Sequence, residues 1–408
     1  MIEIDTLVVG AGPHALTVVS RWVCDRPATV DHLLAVDPAG CWMHAWDRQF
    51  DQQRIDVLRS PGVHHPDPDE MALLHANDYN NRPTDRSGEP LRGALRRPTT
   101  SVFARFCRDL AARTGLSQRV LPATVVDLQP AANGPTSGWA ATLGDGSTVQ
   151  ARRVVWAGNP RVPTVPHAVH RCEAIVHSAE VDVTTVTAGQ RLAVLGGGQT
   201  AGQLALVAAR AGADVVLVSR GPQRIVNLDV DAGWLMDDHL VPFRSIADPR
   251  ERRHVVERVR RGSMTADLAK SLADASVRWF SDAGDLSAWP DGDGAVVGFG
   301  GAEVRVDRVW VATGSCPDVR AEPVLARRAA DGAPHVDGWP ILDDRLHWED
   351  GLVILGALAA LTLGPAAGNL GGARAAAELL APQAPATETD LDLDPSGQDV
   401  ASDGVERR

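Results

Sequence analysis

The sequence predicts an α/β fold in which one Rossmann-like βαβ unit occurs twice, and three observations predict it. A β-type apolar run, Asp5 to Val9, leads into a glycine turn at Gly10 to Pro13, an apolar helix pattern from Ala15 to Val23 and another strand at Leu33 to Val36. The same order of elements returns about 185 residues later, with Arg191 to Leu195, Gly196 to Gly198, Ala201 to Ala211 and Val215 to Val218. Third, 408 residues exceed the roughly 250–300 at which a single hydrophobic core stops growing, so more than one domain is expected. The fold class is therefore α/β with two Rossmann-like dinucleotide-binding domains and helical insertions.

In chain order, Asn77 to Ser101 is rich in Asn, Arg, Pro and Gly and reads as a long surface excursion bordering a site, followed by a helix over Val102 to Arg113. Short strands are expected at Thr124 to Leu128, Trp139 to Leu143 and Arg152 to Ala157, and three prolines between Pro160 and Pro166 mark a first crossing between domains. Arg250 to Trp279 reads as helical and charged. Val296 to Val311 returns to β, with the run Asp307 to Ala312 ending in ATG just before a second crossing. Gly351 to Leu355 is a last strand and Gly371 to Leu380 a helix of small residues. The end of the chain, APQAPATETDLDLDPSGQDVASDGVERR, carries too few large apolar groups to order itself. The expected division is 1–163, 164–318 with a helical insertion at about 227–280, a return segment 319–381 to the first domain, and a disordered tail 382–408.

The chemistry resides in the two turns. In LVVGAGPHA, Gly10, Gly12 and Ala15 have the G-x-G-x-x-A spacing. Gly10 permits the tight turn that Pro13 ends, Gly12 lets backbone approach a pyrophosphate, and Ala15 allows close helix–strand packing, with the helix N-terminus facing the anion. Asp37 ends the next strand 25 residues after Gly12, near the ~20 expected of a carboxylate that hydrogen-bonds a ribose hydroxyl. In LAVLGGGQTAG, Gly196, Gly198 and Ala201 repeat the spacing, with Gln199 and Thr200 leaving the turn. The strand after it ends in Ser219 and Arg220 rather than an acid. A hydroxyl and a guanidinium bind a 2′-phosphate that a carboxylate would repel, which favours NADPH over NADH. Arg220 capping a strand end in water, and Gln199 as a surface amide, are the plain alternatives. In the closing segment, Leu352 to Leu380, the glycines allow backbone to come close to a planar ligand, although a small-residue helix packed on a sheet would look the same.

Composition narrows the function classes. The content of 44% hydrophobic and 23% charged residues is that of a soluble globular protein, and the net charge of −12 disfavours nucleic acid. Five widely spaced cysteines without a C-x-x-C pair read as reduced thiols. Without a leader pattern or an apolar run of 18 residues, no membrane association is expected and a cytoplasmic location is. The Arg-rich run Arg250 to Gly262 reads as a solvated helix face, and the neighbours His64 and His65 point to opposite sides of an extended backbone, so no metal site is expected. No G-x-S-x-G elbow or P-loop is present, so cofactors must carry the chemistry.

Two dinucleotide motifs with an ATG strand at the second crossing resemble class B flavoprotein monooxygenases, and within them the bacterial lysine and ornithine N-hydroxylases of siderophore pathways. GAGPHAL at Gly10 to Leu16 is similar to that family's G-x-G-P-x-x-L, and GGGQTA at Gly196 to Ala201 to its G-G-G-Q-S-A. LRSP at Leu58 to Pro61, RPTTSVFARFCRDLA at Arg97 to Ala111 and LGPAAGNLGGAR at Leu363 to Arg374 extend the likeness to about Leu380. ATGS at Ala312 to Ser315 stands where ATGY is usual, and the family's W-H-x-G-M and L-K-D signatures are absent around Trp46 to Pro61. The F-x-G-x-x-x-H fingerprint of neighbouring families survives only in His177, with Arg171 and Glu173 where Phe and Gly would be.

The resemblance implies that the FAD domain is interrupted by an NADPH domain. It further implies that Trp42 and Trp46 lie along the flavin cavity, that the segment with Gly364, Asn369 and Gly372 closes over FAD, and that Gln199 contacts the nicotinamide or flavin. Gln199 and His177 become the candidate catalytic residues. The implied reaction is N-hydroxylation of an amine of an amino acid or small metabolite with oxygen, through a flavin peroxide. Members of that family are often dimers or tetramers, so the resemblance implies a homo-oligomer. The rivals are an NAD(P)H-dependent flavin reductase or oxidase with a non-oxygenated acceptor, and a cofactor-binding protein without catalysis.

Overall fold

Strands covered on both faces are apolar along their length rather than alternating, and Ile2–Val9 and Arg191–Leu195, each ending in four buried residues, form the middles of two parallel sheets. The computed structural model describes residues 2–76, 95–131 and 138–385. The predicted excursion therefore lies outside the described residues over 77–94, as does the predicted tail over 386–408.

The first sheet runs His347–Glu349, Leu352–Ile354, Thr148–Trp156, Ile2–Val9, Leu33–Asp37, Val120–Pro122. Its pairs are parallel except the outer His347–Glu349 pair. A hairpin of Val125–Pro130 and Trp139–Leu143 joins its Thr148–Trp156 strand antiparallel. The second sheet runs Arg278–Phe280, Asp214–Val218, Arg191–Leu195, Arg308–Val311, Ile175–His177, all parallel. A three-stranded antiparallel sheet, Leu286–Asp291, Gly294–Phe299 and Ala302–Val306, seals one face of it by packing Leu286, Val297 and Phe299 with Ala193, Val216 and Val311.

The chain passes between the two large sheets twice, and the two passages meet: Arg161–Pro163 pairs antiparallel with Ser315–Pro317. The return segment completes the first core. Helix Leu370–Leu380 buries Gly371, Gly372, Ala373, Ala376 and Ala377, and the Trp22 indole of helix Pro13–Asp25 donates to the Leu380 carbonyl at 2.8 Å. Small residues on that face let the two helices approach closely.

One expectation is corrected. The helical stretch predicted over Arg250 to Trp279 is two helices, Pro249–Val259 and Ala266–Asp274, and Trp279 lies in the edge strand Arg278–Phe280. Ser276 takes a left-handed backbone with φ +55°, which no helix can continue through, and the β-branched and aromatic residues after it join the sheet. Val296 to Val311 is β as expected, in parts of three strands separated by turns at Gly300–Gly301 and Asp307.

Candidate dinucleotide-binding cleft

The two glycine turns are built alike. Gly10 and Gly196 have φ of +94° and +148°, where L side chains are strained. Their N–H groups donate to the carbonyls of Val36 (2.9 Å) and Val218 (2.8 Å), the ends of the strands that follow each helix. Gly12 (φ −84°, ψ −177°) and Gly198 (φ −97°, ψ 177°) begin the helices Pro13–Asp25 and Gln199–Arg210, and neither helix has a side-chain cap. Unclaimed N–H groups at a helix start attract an anion. Each first glycine also abuts a passage between sheets: a Cβ on Gly10 would lie 3.3 Å from Gly158 N, and one on Gly196 only 2.3 Å from Ala312 O. Ala15 and Ala201 are fully buried against their sheets. Both helix starts thus stand beside the paired passages.

Around the first turn the cradle is open. A Cβ on Gly12 would meet nothing within 4 Å, so backbone there is bare to a ligand. Asp37 is fixed across the turn, accepting from Ala11 N (3.1 Å) and Ala39 N (3.0 Å). His14, in the first helical turn, sits deep in the fold without being closed off, as a group lining a cleft does. Its Nε2 is 3.1 Å from Ala367 O. Burial holds its pKa below the ordinary value, against the opposing hydrogen bonds to backbone at Ala367 and Asn369, so the neutral ring donates from Nε2 and ties the turn to the return segment.

In that segment Gly364 (φ +79°) and Gly372 are places where backbone is crowded rather than bare. A Cβ would lie 2.9 Å from the Leu240 side chain at Gly364 and 2.2 Å from Ala366 O at Gly372. The Asn369 side-chain amide donates to Asp229 (3.1 Å). Asp229 also lies 3.7 Å from the Arg260 guanidinium, which donates to Pro365 O at 2.7 Å. Trp42, expected along a cavity, is 7% exposed, packs in the core and donates to Leu116 O at 2.8 Å. Trp46 stacks on Phe50 at 4.0 Å and tilts against Phe103 at 5.2 Å. Aromatic neighbours hold the Trp46 ring.

The second turn is covered. A Cβ on Gly198 would lie 3.6 Å from Gly262 Cα and 3.9 Å from Ser263 N, so backbone of the segment Arg261–Thr265 rests where a diphosphate would approach. Gln199, rather than reaching into a cleft with its carbonyl, accepts from Thr265 N at 3.0 Å. Ser219 is 3% exposed and its hydroxyl donates to Gly221 O at 3.1 Å, while Thr200 and Arg220 are exposed. His177, a candidate catalytic residue, is 4% exposed; Nε2 is 3.0 Å from Gly314 O and Nδ1 accepts from Ala179 N at 3.3 Å. Both nitrogens thus reach backbone, and the ring braces the ATG passage.

The structure also brings in residues that sequence reasoning passed over. Arg59, in the LRSP stretch Leu58 to Pro61, donates to Asn227 O (3.2 Å), Val226 O (2.9 Å), Ser263 O (3.0 Å) and Ser263 Oγ (2.9 Å). Arg260 and Asp229 come from the insertion, and only their long-range pairing gives them meaning; a basic run alone carried no signal of it. Among the described residues no group of three or more His, Cys, Asp and Glu side chains is placed to hold a metal, and no helix is long and apolar enough to cross a membrane.

A family model described as pyridine nucleotide-disulphide oxidoreductase matches residues 99–241, well under half of the chain. No curated protein matches. The chain is similar to the crystal structure, bound to FAD, of a cadaverine monooxygenase of desferrioxamine biosynthesis from Erwinia amylovora, with a TM-score of 0.72, 14% identity, and coverage of 93% of this chain and 94% of the other. It is similar to the ornithine N-hydroxylase of Kutzneria sp. 744, solved with reduced FAD, NADP+ and L-ornithine, with a TM-score of 0.70, 15% identity, and coverage of 93% and 98%. A bacillithiol disulfide reductase from Bacillus cereus shares the architecture at a TM-score of 0.57, 15% identity, and coverage of 93% and 98%. Over nearly its whole length, then, the chain has the fold of the cadaverine monooxygenase and the ornithine N-hydroxylase.

Proposed function

We propose that the chain is an FAD- and NADPH-dependent monooxygenase that N-hydroxylates an amine of an amino acid or small metabolite. The observation that carries this reading is the pair of like-built glycine turns, one on each sheet, both standing beside the paired passages Arg161–Pro163 and Ser315–Pro317. Two dinucleotides gripped at such turns converge on one cleft. The solved ornithine N-hydroxylase, with reduced FAD, NADP+ and L-ornithine, and the FAD-bound cadaverine monooxygenase support it. Residues 1–163 with 319–381 form the FAD unit in this reading, and 164–318 the NADPH unit.

The first turn fits FAD: Gly12 is bare, the helix start at Pro13 is uncapped, and Asp37 stands at the strand end facing Ala11. His14 holds Ala367 against that turn, so the return segment is locked beside the flavin nucleotide. At the second turn Thr200 and Arg220 offer exposed groups to the diphosphate and the 2′-phosphate. When bound, flavin with NADPH and oxygen supplies the redox chemistry, and the balance is R–NH2 + O2 + NADPH + H+ giving R–NHOH + NADP+ + H2O. The protein's part is to bind, align and exclude water. Trp234 and Leu235 pack over Gly364 and Gly371 and keep the closing segment dry.

A second reading, a reductase for a disulfide or other acceptor, is favoured by the bacillithiol disulfide reductase sharing the fold. Against its disulfide form, the five cysteines are all free and carry no C-x-x-C spacing. Oxygen uptake, NADPH consumption and product mass over a panel of amines decide between the two. The expected result is amine-dependent uptake with a product heavier by one oxygen atom. Hydrogen peroxide accounting for all NADPH consumed with every amine, alongside turnover with a disulfide or quinone, overturns the monooxygenase reading.

A further inference from the structure

The two glycine turns share a backbone conformation but not an environment, since Gly12 is bare and Gly198 lies under Gly262. The covering segment is held from several sides. Met264 N donates to Arg224 O and Val226 N to Met264 O, each at 3.0 Å, so segment 261–265 pairs with segment 224–227. Arg224 also donates to Arg261 O (3.2 Å), and Gln199 receives Thr265 N. Met264 is fully buried, its Cε 3.2 Å from where a Cβ on Gly202 would stand.

One side chain fastens both segments from the other side of the cleft. Arg59 belongs to the part of the chain that precedes the first passage, and its guanidinium reaches Val226 O, Asn227 O, Ser263 O and Ser263 Oγ. All four partners are neutral oxygens. Burial lowers the Arg59 pKa; Asp229 opposes this, and Arg97, Arg224 and Arg260 add to it. A cation held by neutral oxygens rather than by a carboxylate is fastened less strongly, so the contact can be broken.

We propose that Arg59 is a positioning residue that latches segment Arg261–Thr265 onto the second glycine turn, and that NADPH gains the turn by lifting this segment off Gly198. The proposal rests on the reading that the second turn takes NADPH, and adds that the site is closed until the nucleotide competes for it. A ligand shifts such an equilibrium only by binding one state better, and the closed fraction weakens its apparent affinity in proportion. Removing the latch therefore tightens binding, the reverse of what loss of a phosphate ligand does.

The test is titration of the FAD-loaded protein with NADP+ by calorimetry, for wild type, Arg59→Ala and Arg59→Lys, with hydrogen exchange at the Thr265 amide as a second readout. Arg59→Ala should lower the Kd about fivefold and speed exchange at Thr265. Arg59→Lys should fall between, because a point charge cannot hold four oxygens in the fork geometry of a guanidinium. Should Arg59→Ala fail to fold, Ser263→Ala removes one latch contact and is expected to move Kd the same way by a smaller factor. An unchanged or raised Kd in the folded variants, with FAD content intact, overturns the latch. Absence of NADP+ binding in wild type and variants alike overturns instead the assignment of the second turn, and the latch with it.

Discussion

The Asp37 carboxylate accepts from the Ala11 amide at 3.1 Å across the first glycine turn, so the acid that ends one strand also fixes the backbone between Gly10 and Gly12. With Ala39 N on its other oxygen at 3.0 Å, it is oriented before any ligand arrives. Asp37→Ala removes both bonds and the ribose acceptor together. Charge-assisted bonds are worth roughly 1.5–3 kcal/mol each, so the Kd of FAD for apoprotein, measured by flavin fluorescence, should rise by about tenfold or more. Asp37→Asn, which keeps one carbonyl acceptor, should lose less. Equal affinity in wild type and Asp37→Ala would remove the residue from the FAD site.

The first and second glycines of a turn should fail in different ways. Gly12 has an ordinary φ of −84° and open space where a Cβ would stand, so Gly12→Ala should leave the melting temperature nearly unchanged and still abolish FAD retention on desalting. Gly196 has φ +148° and would set its Cβ 2.3 Å from Ala312 O. Gly196→Ala should cost about 2 kcal/mol or more from backbone strain and the clash. Its melting temperature should fall by roughly 5 °C or more. A stable, FAD-loaded Gly12→Ala protein would contradict the open cradle.

These contrasts mark how far the sequence could be read. The turns, their helices and central strands follow from local rules: a glycine spacing, an apolar run, and an acid at a strand end all act within some 30 residues, and Gly10, Gly12, Asp37, Gly196 and Gly198 stand in the turn geometry they suggest. What was not legible is what distant segments do to those turns. Gly262 covering Gly198, Arg59 reaching Ser263 and His14 reaching Ala367 each join residues separated by 64 to 353 positions, and no period or motif in one chain encodes such meetings. Trp42 and His177 are alike in this. The resemblance set them beside the cofactors, and it did not show that the indole and the imidazole also reach backbone carbonyls.

Arg220 follows the strand Asp214–Val218 and is exposed beside the second turn. Ser219 has its hydroxyl engaged by Gly221 O, so the guanidinium is left as the ready partner for a 2′-phosphate. Arg220→Ala should raise the KM for NADPH by about tenfold or more, the loss of one charge-assisted contact, and leave that for NADH nearly unchanged. Steady-state kinetics with both nucleotides checks it. A parallel rise for the two would place the phosphate elsewhere.

Acid should destabilise the protein through its interior histidines. His65 is fully buried, its Nε2 is 3.1 Å from Glu70 O, and its Nδ1 has no partner. Burial brings its pKa to about 4, helped by Arg374 and opposed by the bond to Glu70 and by Asp67 and Asp69. In the unfolded chain the ordinary value is about 6.5. Between these values the unfolded state binds a proton that the native state refuses, so stability present at pH 8 is lost as pH falls from about 6.5 to 4 and the loss levels off below that, reaching roughly 3 kcal/mol for this group. His14 and His64, lowered mainly by burial as well, add in the same direction. His65→Asn should be less stable than wild type at pH 8, since its shorter side chain loses the bond to Glu70, but the difference in melting temperature should shrink at pH 5. Thermal melts of both proteins across that range are the measurement, and a difference that stays constant with pH would mean His65 is not the titrating group.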